Sequence, residues 1–146
     1  MTGQVDDTFA RRICKGNAGN AGLFTTASDL VPFCTAIMNG GEYNNVKILK
    51  AATIKKMAKV VDPRFGRALG WDVCSSEKSL LKGYGCSPET LVHGGHTGTM
   101  IAIDIKNKIA VILLANRNHP DNGHYKDWLK DRVEINTRLI ESIQAQ

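Results

Sequence analysis

The sequence lacks the features that define several large classes of protein. It contains no Cys-x-x-Cys pair, the spacing that is typical of zinc and redox sites. Aromatic residues make up only 6% of the chain and do not alternate with basic residues, as they do in many nucleic-acid-binding surfaces. The longest apolar run, residues 109–115, is far shorter than the roughly 18 residues needed to cross a bilayer. We therefore expect no nucleic-acid partner and no membrane span.

The composition is that of a folded globular domain. Apolar residues make up 42% of the chain and charged residues 23%, close to the averages for soluble proteins. The net charge of +5 comes from lysines and arginines scattered among acids and apolar residues, which predicts a solvated basic surface. The first residues, MTGQVDD, have neither a basic nor an apolar region, so we expect no secretory signal there.

The cysteines at positions 14, 34, 74 and 86 show no framework spacing. Cys34 falls on the apolar face of a predicted helix and is expected to be a small core residue. We predict reduced thiols for all four. Reduced thiols favour a cytoplasmic location over a secreted or periplasmic one.

A helix is predicted after residue 26. Residues 26–29 (TASD) form a capping sequence with an acid near the positive end of the helix dipole. Because proline is tolerated only near the first turn, Pro32 favours Ser28 over Thr26 as the cap. Asn39, Gly40 and Gly41 end the helix. One apolar stripe follows the helical period: Leu30, Phe33, Cys34, Ile37 and Met38.

The remaining pattern predicts an α+β fold. We predict about three antiparallel strands flanked by helices, with the last two strands joined across Lys106 and Asn107. The glycine-rich residues 16–22 and the polar residues 75–88 are predicted loops. The helices are predicted at residues 50–61 and 124–143, and the strands at residues 69–73, 99–105 and 108–115.

Four segments, in this order, resemble the serine β-lactamase and penicillin-binding protein family, class C β-lactamase type. Residues 21–30 (AGLFTTASDL) are similar to its AGLFSTA-x-DL segment, and residues 69–71 (LGW) to its GLGW strand. Residues 93–99 (HGGHTGT) are similar to HTGFTGT, and residues 113–120 (LLANRNHP) to LLTNRVHP. Residues 3–7 (GQVDD) also resemble GxVHD, with Asp6 in place of the histidine.

The resemblance implies a fold and an active site. It implies the C-terminal portion of a β-lactamase-like catalytic domain, so residues 1–146 are expected to form a single incomplete domain. The family's nucleophile lies in a Ser-x-x-Lys motif near its N-terminus, with a Tyr-x-Asn motif later, and a Lys/His-x-Gly triplet on a sheet-edge strand faces them. Related Ser-x-x-Lys enzymes react through an acyl-enzyme.

Two triplets compete for the Lys/His-x-Gly position. They begin at His93 and at His96. The family follows its triplet with Thr-Gly-Thr, which residues 97–99 supply, so the register favours His93-Gly94-Gly95. The resemblance then places His93 near the substrate carboxylate and makes the His96 backbone N–H an oxyanion donor.

Glycines in this triplet suit a substrate that lies against the strand backbone, because they add no side chain. His93 can donate a hydrogen bond. The predicted substrate-binding residues are His93, Thr97, Gly98 and Thr99, beside the catalytic set of His93, Gly94, Gly95 and His96. The pair His93 and His96 also has metal-ligand spacing, but no third ligand is visible nearby, so we predict neither a metal nor a cofactor.

Several short motifs resemble the missing nucleophile but lack its context. Ser75–Lys78 and Ser79–Lys82 match Ser-x-x-Lys, and residues 43–45 match Tyr-x-Asn. They occur in the wrong order, and both serines lie in a predicted polar loop rather than at a helix start. Residues 16–22 lack the Gly-Lys-Ser/Thr ending of a phosphate-binding loop. We therefore predict that the nucleophile lies outside this chain.

Two functions are consistent with the sequence. The first is part of a serine hydrolase that acts on a small-molecule or peptide substrate through an ester, amide or β-lactam, with this chain inactive by itself. The second is a non-catalytic truncated paralogue that binds a peptidoglycan-like peptide or a protein partner. In either case, loss of the covering helices would expose an apolar sheet face, through which the chain could self-associate.

Overall fold

The computed structural model describes residues 3–62, 64–74, 86–119 and 125–145. It contains four helices and six strands within these ranges. The helices are α1 (Thr8–Arg12), α2 (Ala27–Met38), α3 (Ala51–Ala58) and α4 (Tyr125–Gln144). The strands are β1 (Glu42–Tyr43), β2 (Val46–Lys47), β3 (Asp72–Val73), β4 (Leu91–Gly94), β5 (Met100–Asp104) and β6 (Ile109–Leu113).

The main sheet has four strands in the order β3-β4-β5-β6, and every neighbouring pair is antiparallel. The predicted α+β class is confirmed. The β5–β6 hairpin turns at residues 105–108, as predicted, and Lys108 takes a positive φ of 58° there. The prediction of about three strands missed β4, which is short and has a glycine-rich end that conceals it in the sequence.

The sheet carries a buried apolar cluster on each face, because successive side chains of a strand point to opposite sides. Alternation within β4 shows the division: Leu91 joins one cluster and Val92 the other. The first cluster includes Cys34 and Ile37 of α2 and Ile54 of α3. The second contains Ile140 of α4.

Both faces of the sheet are therefore covered in the part of the chain that the structure describes, and the predicted bare sheet face is not found. Large apolar side chains are exposed elsewhere, for example Leu23 at 83% and Ile13 at 68%. No helix among the described residues is both long enough and apolar enough to cross a bilayer.

Helix α2 begins at the cap that the sequence did not favour. The Thr26 side chain accepts a hydrogen bond from the Asp29 backbone N–H at 3.1 Å and donates to the Asp29 carboxylate at 2.8 Å. This reciprocal pair satisfies the first turn, so Thr26 and not Ser28 is the cap. Pro32 consequently lies inside the helix. The predicted end at Asn39 is confirmed.

Two small elements were not predicted. Helix α1 lies in a stretch for which no element was predicted; Asp7 caps it by accepting a hydrogen bond from the Ala10 N–H at 2.7 Å. Strands β1 and β2 form a hairpin whose connecting residues, Asn44 and Asn45, have φ angles of 48° and 64°. Asparagine tolerates this left-handed conformation better than most residues do, and it is favoured in two-residue hairpin turns.

The ends of the other helices differ slightly from the prediction. Helix α3 ends at Ala58 rather than at Val61, which is 64% exposed. Helix α4 keeps the predicted apolar side, with Asn136 and Ile140 buried, but Ile143 near its end is 46% exposed.

The cysteine prediction was half wrong. Cys74, just after β3, forms a disulfide bond with Cys86. Cys14 and Cys34 are free thiols, and Cys34 is buried as expected. The two bonded cysteines are twelve residues apart, and antiparallel β3 and β4 bring them together. The cysteines therefore no longer favour a cytoplasmic location, because disulfides persist mainly in oxidising compartments.

A buried aspartate connects the β5–β6 turn to the segment before β4. Asp104 accepts hydrogen bonds from the Ser87 N–H and hydroxyl, both at 2.8 Å. It also accepts from the Asn107 N–H at 3.0 Å and from its side-chain amide at 2.8 Å. Burial raises the pKa of Asp104, but these hydrogen bonds together outweigh that effect and hold its pKa below the usual value of 3.8.

Candidate functional site

The predicted site residues lie where β4 leaves the sheet. Strand β3 pairs only with Leu91 and Val92, so it covers only the first half of β4 on that side. His93 and Gly94 pair with β5 on the other side, opposite Ile101 and Met100. Among the residues that the structure describes, strand β4 is thus interior at its start and an open edge at its end. An open edge leaves backbone groups available to an extended ligand.

Residues 95–99, which we call the glycine turn, connect β4 to β5. The Gly95 N–H donates to the Thr99 carbonyl at 2.7 Å, and the Gly98 N–H donates to the Gly95 carbonyl at 3.0 Å. Gly98 has a φ of +99°, which favours glycine. A Cβ on Gly95 would lie 2.1 Å from the Thr99 hydroxyl oxygen. The two glycines therefore permit a turn that larger residues would force open.

The peptide between Gly95 and His96 has a defined direction. Its carbonyl points at the Gly98 N–H inside the turn. In a trans peptide the N–H points opposite to the carbonyl, so the His96 N–H points away from the turn. No described residue accepts a hydrogen bond from this N–H. It is a backbone donor of the kind that an oxyanion requires.

His93 is exposed at the open edge and contacts Trp71, which directly precedes β3. The two rings are edge to face, with centroids 6.4 Å apart and planes at 84°. Trp71 is itself 8% exposed, so it gives His93 a fixed apolar wall. Trp71, the last residue of the LGW segment, thus supports the histidine from its position just before β3.

Side chains from outside the hairpin hold the glycine turn. The Trp128 indole N–H of α4 donates to the Gly98 carbonyl at 2.9 Å. The Arg117 backbone N–H donates to the Thr97 carbonyl at 2.9 Å, and its Nε–H donates to the His96 carbonyl at 2.7 Å.

The N-terminal segment reaches the same turn through Asp6. Its carboxylate lies 3.9 Å from His96 Nε2 and accepts a hydrogen bond from the Asn118 side-chain amide at 2.8 Å. Asp6 stands in place of the histidine of GxVHD, and His96 stands in place of the phenylalanine of HTGFTGT. In this chain these two residues contact each other. No role was predicted from the sequence for Asp6, Arg117, Asn118 or Trp128. The only signals were the matches of residues 3–7 and 113–120 to family segments, which include the first three of these residues.

The predicted residues divide into two groups in the structure. His93 and His96 are exposed, and Gly94 and Gly95 are half-buried between them. Gly98 is buried: its carbonyl is occupied by Trp128, and a Cβ there would lie 2.5 Å from the indole nitrogen. This arrangement gives Gly98 a structural role and argues against the direct substrate contact that we expected.

The motifs that resembled a nucleophile gain no support as a catalytic set. Tyr43, Asn44 and Asn45 form the end of β1 and the tight turn to β2, where the asparagines serve the backbone. Ser75–Lys78 and Ser79–Lys82 lie outside the described residues. Within the described ranges, no group of three histidine, cysteine or acidic side chains could hold a metal ion.

An antiparallel sheet flanked by helices is the architecture that the element pattern predicted and that the resemblance implied. A family model described as Beta-lactamase matches residues 2–134. A Salmonella paratyphi B protein named "Putative D-alanyl-D-alanine carboxypeptidase" is 37% identical over 123 residues, which are 82% of this chain and 28% of that protein. Proteins of the same name from Salmonella newport and Salmonella heidelberg match equally well.

The chain therefore belongs to the β-lactamase family, the serine hydrolases that include β-lactamases and penicillin-binding proteins. The prediction from the four segments is confirmed. The chain spans 28% of the length of the curated relatives that it matches.

Proposed function

We propose that this chain supplies one wall of a serine-hydrolase active site: the His-x-Gly strand and the oxyanion side. The complete site forms an acyl-enzyme on a serine outside this chain and hydrolyses an amide, an ester or a β-lactam. His93 and the His96 backbone N–H are the groups of this wall that touch the substrate.

The observation that carries the proposal is the direction of the Gly95–His96 peptide. Its N–H points outward beside an open strand edge, while the Gly95 carbonyl is held inside the turn by Gly98. A fixed N–H stabilises developing negative charge without reorganising during the reaction. The open edge at His93 and Gly94 gives an extended peptide or a β-lactam backbone a place to pair.

His93 supports a substrate with a free carboxylate. Its imidazole is exposed at this edge, supported by Trp71, and can donate a hydrogen bond to an anionic group. The name of the relatives, "Putative D-alanyl-D-alanine carboxypeptidase", supports a peptide that ends in a D-alanine carboxylate as the substrate. A histidine here, in place of a lysine, provides no permanent charge, so we expect weaker anion binding than a lysine would give.

The chain by itself is expected to bind weakly and not to react. An oxyanion wall has little to stabilise when no nucleophile attacks. We expect one wall alone to bind with a free energy of about −4 kcal/mol, which corresponds to a dissociation constant of the order of millimolar.

Amide chemical shifts test the proposed wall. We expect N-acetyl-D-alanyl-D-alanine, and separately a penicillin, to shift the amide signals of residues 93–99 at millimolar concentration. His93→Ala should reduce these shifts severalfold, because it removes the imidazole donor. Lys47→Ala, which removes an exposed cation in the distant β1–β2 hairpin, should leave them unchanged.

Two outcomes would contradict this function. Shifts confined to residues outside the turn would locate binding elsewhere. Saturable binding at micromolar concentration would favour the alternative, a non-catalytic module that binds a peptidoglycan-like peptide. The gene distinguishes these functions as well: an in-frame Ser-x-x-Lys and Tyr-x-Asn upstream of Met1 support the hydrolase, whereas a ribosome-binding site directly before Met1 supports the module.

A further inference from the structure

We propose that Arg117 is a positioning residue, and that its side chain fixes the backbone of His96 in the orientation that presents the N–H. The catalytic meaning of this inference rests on the proposed function. The structural part concerns the glycine turn alone and can be tested without any substrate.

Arg117 makes three contacts with the glycine turn. Its backbone N–H donates to the Thr97 carbonyl at 2.9 Å, and its Nε–H donates to the His96 carbonyl at 2.7 Å. Its Nη2 lies 3.5 Å from His96 Nδ1. Backbone and side chain of one residue thus hold two consecutive residues of the turn, beside the β4 edge.

These contacts determine the conformation of His96. The peptide before its Cα is fixed by the Gly98 N–H, which holds the Gly95 carbonyl. The peptide after its Cα is fixed by the Arg117 side chain, which holds the His96 carbonyl. The His96 N–H belongs to the first plane, so the Gly98–Gly95 bond gives it its direction. Arg117 fixes the second plane and so keeps the turn in the closed conformation that this bond requires. Without Arg117 only the first plane is fixed.

The guanidinium is suited to this task. It is always charged, and its planar fork allows Nε to bond the carbonyl while Nη2 lies beside the ring. Hydrogen bonds from charged donors are stronger than neutral ones. A lysine in its place would bring the charge but only one donor atom, on a flexible stem.

The opposite side of the His96 ring has its own contact. Asp6 lies 3.9 Å from Nε2, and Asn118, the residue next to Arg117, donates to the same carboxylate oxygen. The ring therefore lies between an acidic and a basic side chain.

Hydrogen exchange measures the effect directly. We expect Arg117→Ala to increase the exchange rates of the Gly95 and Gly98 amides by about tenfold, the lower end of what a hydrogen bond to a charged group contributes. Arg117→Lys should increase them nearly as much, since it keeps the charge but not the fork. Arg138→Ala, which removes an exposed cation of α4, should change neither rate. The amides of β5 and β6 serve as the internal reference for the fold.

Each outcome has a defined meaning. Unchanged protection in Arg117→Ala overturns the proposal, and so does full protection in Arg117→Lys, which would assign the effect to charge alone. If Arg117→Ala also speeds exchange of the β5 and β6 amides, that variant has disturbed the whole fold and Arg117→Lys takes its place. Faster exchange at Gly95 and Gly98 in Arg117→Lys, with β5 and β6 unchanged, then supports the proposal, and unchanged protection overturns it. A turn that loosens in both variants supports Arg117 as the positioning residue even if no ligand shifts residues 93–99. That combination would reject the proposed function and keep this inference.

Discussion

Gly98 combines two requirements that can be separated experimentally. Its φ is +99°, and a Cβ would approach the Trp128 indole nitrogen to 2.5 Å. Gly70 has a similar φ of +78° but open space around its missing Cβ. The difference between the two positions is therefore the contact with α4, not the backbone conformation.

Alanine substitutions should reflect this difference. We expect Gly70→Ala to lower the free energy of unfolding by about 1–2 kcal/mol, the cost of left-handed backbone for a residue with a Cβ. Gly98→Ala should lower it by about 2–4 kcal/mol, because overpacking against Trp128 adds to the strain. Urea unfolding of both variants measures the difference. Equal losses would mean that α4 yields readily and does not constrain the turn.

Single residues of the site were predictable only in part. The resemblance identified residues 93–99 as the site segment, and the structure places them at the end of β4 and in the glycine turn. The side chains that hold it come from three distant segments, at Asp6, Arg117 and Trp128. No local spacing connects these positions, because only the folded chain brings them together.

The β5–β6 hairpin depends on one buried carboxylate. Asp104 is 2% exposed, and four hydrogen bonds from Ser87 and Asn107 hold its pKa below the usual value. A group whose pKa is lower in the folded state stabilises the fold when ionised. This stabilisation is complete above the unfolded pKa, near 3.8, and is lost as the pH falls through the folded pKa.

Replacement of Asp104 should therefore change stability and its pH dependence together. At neutral pH, Asp104→Asn should lower the free energy of unfolding by about 1–3 kcal/mol, because buried donors lose their charged acceptor. Below about pH 4 the free energy of unfolding of the variant should fall less steeply as the pH falls. The difference in slope corresponds to at most one proton taken up on unfolding, the proton that Asp104 would bind. Asp131→Asn, at an exposed position of α4, is the control. Parallel pH profiles for Asp104→Asn and the unmodified chain would reject this role for Asp104.

Long elements were predicted better than short ones. The apolar period of α2 and the run of β-branched residues around β5 and β6 extend over many residues, so the pattern identifies them. Helix α1 and strands β1, β2 and β4 have only two to five residues each, too few for a period to develop. Tertiary contacts and capping stabilise such elements, and Asp7 and the two asparagines were the only local signals.

The N-terminal region has an apolar surface that the fold does not cover. Phe9 of α1 and Ile13, the residue that caps its C-terminus, are 59% and 68% exposed. Leu23 and Phe24 are 83% and 63% exposed, and they follow Gly22, which lies close to the Val5 side chain. Exposed apolar patches of a few hundred Å² favour association.

We therefore predict that the chain self-associates through this region and not through the sheet. Sedimentation velocity should show a concentration-dependent increase in mass. The double substitution Leu23→Ser and Phe24→Ser should suppress it, whereas Val46→Ser, at an exposed apolar position in β2, should not. A clean monomer at high concentration that binds no apolar dye would contradict this prediction.

For the whole molecule, we propose that the chain carries the oxyanion wall and that the nucleophile lies outside it. Intact-mass spectrometry after incubation with a fluorophosphonate probe, and separately with a penicillin, tests this most directly. Ser75→Ala and Ser79→Ala variants are the controls. We predict no added mass on the chain with either reagent. A stoichiometric adduct that one of these substitutions abolishes would contradict this proposal and would make the chain a hydrolase with its own nucleophile.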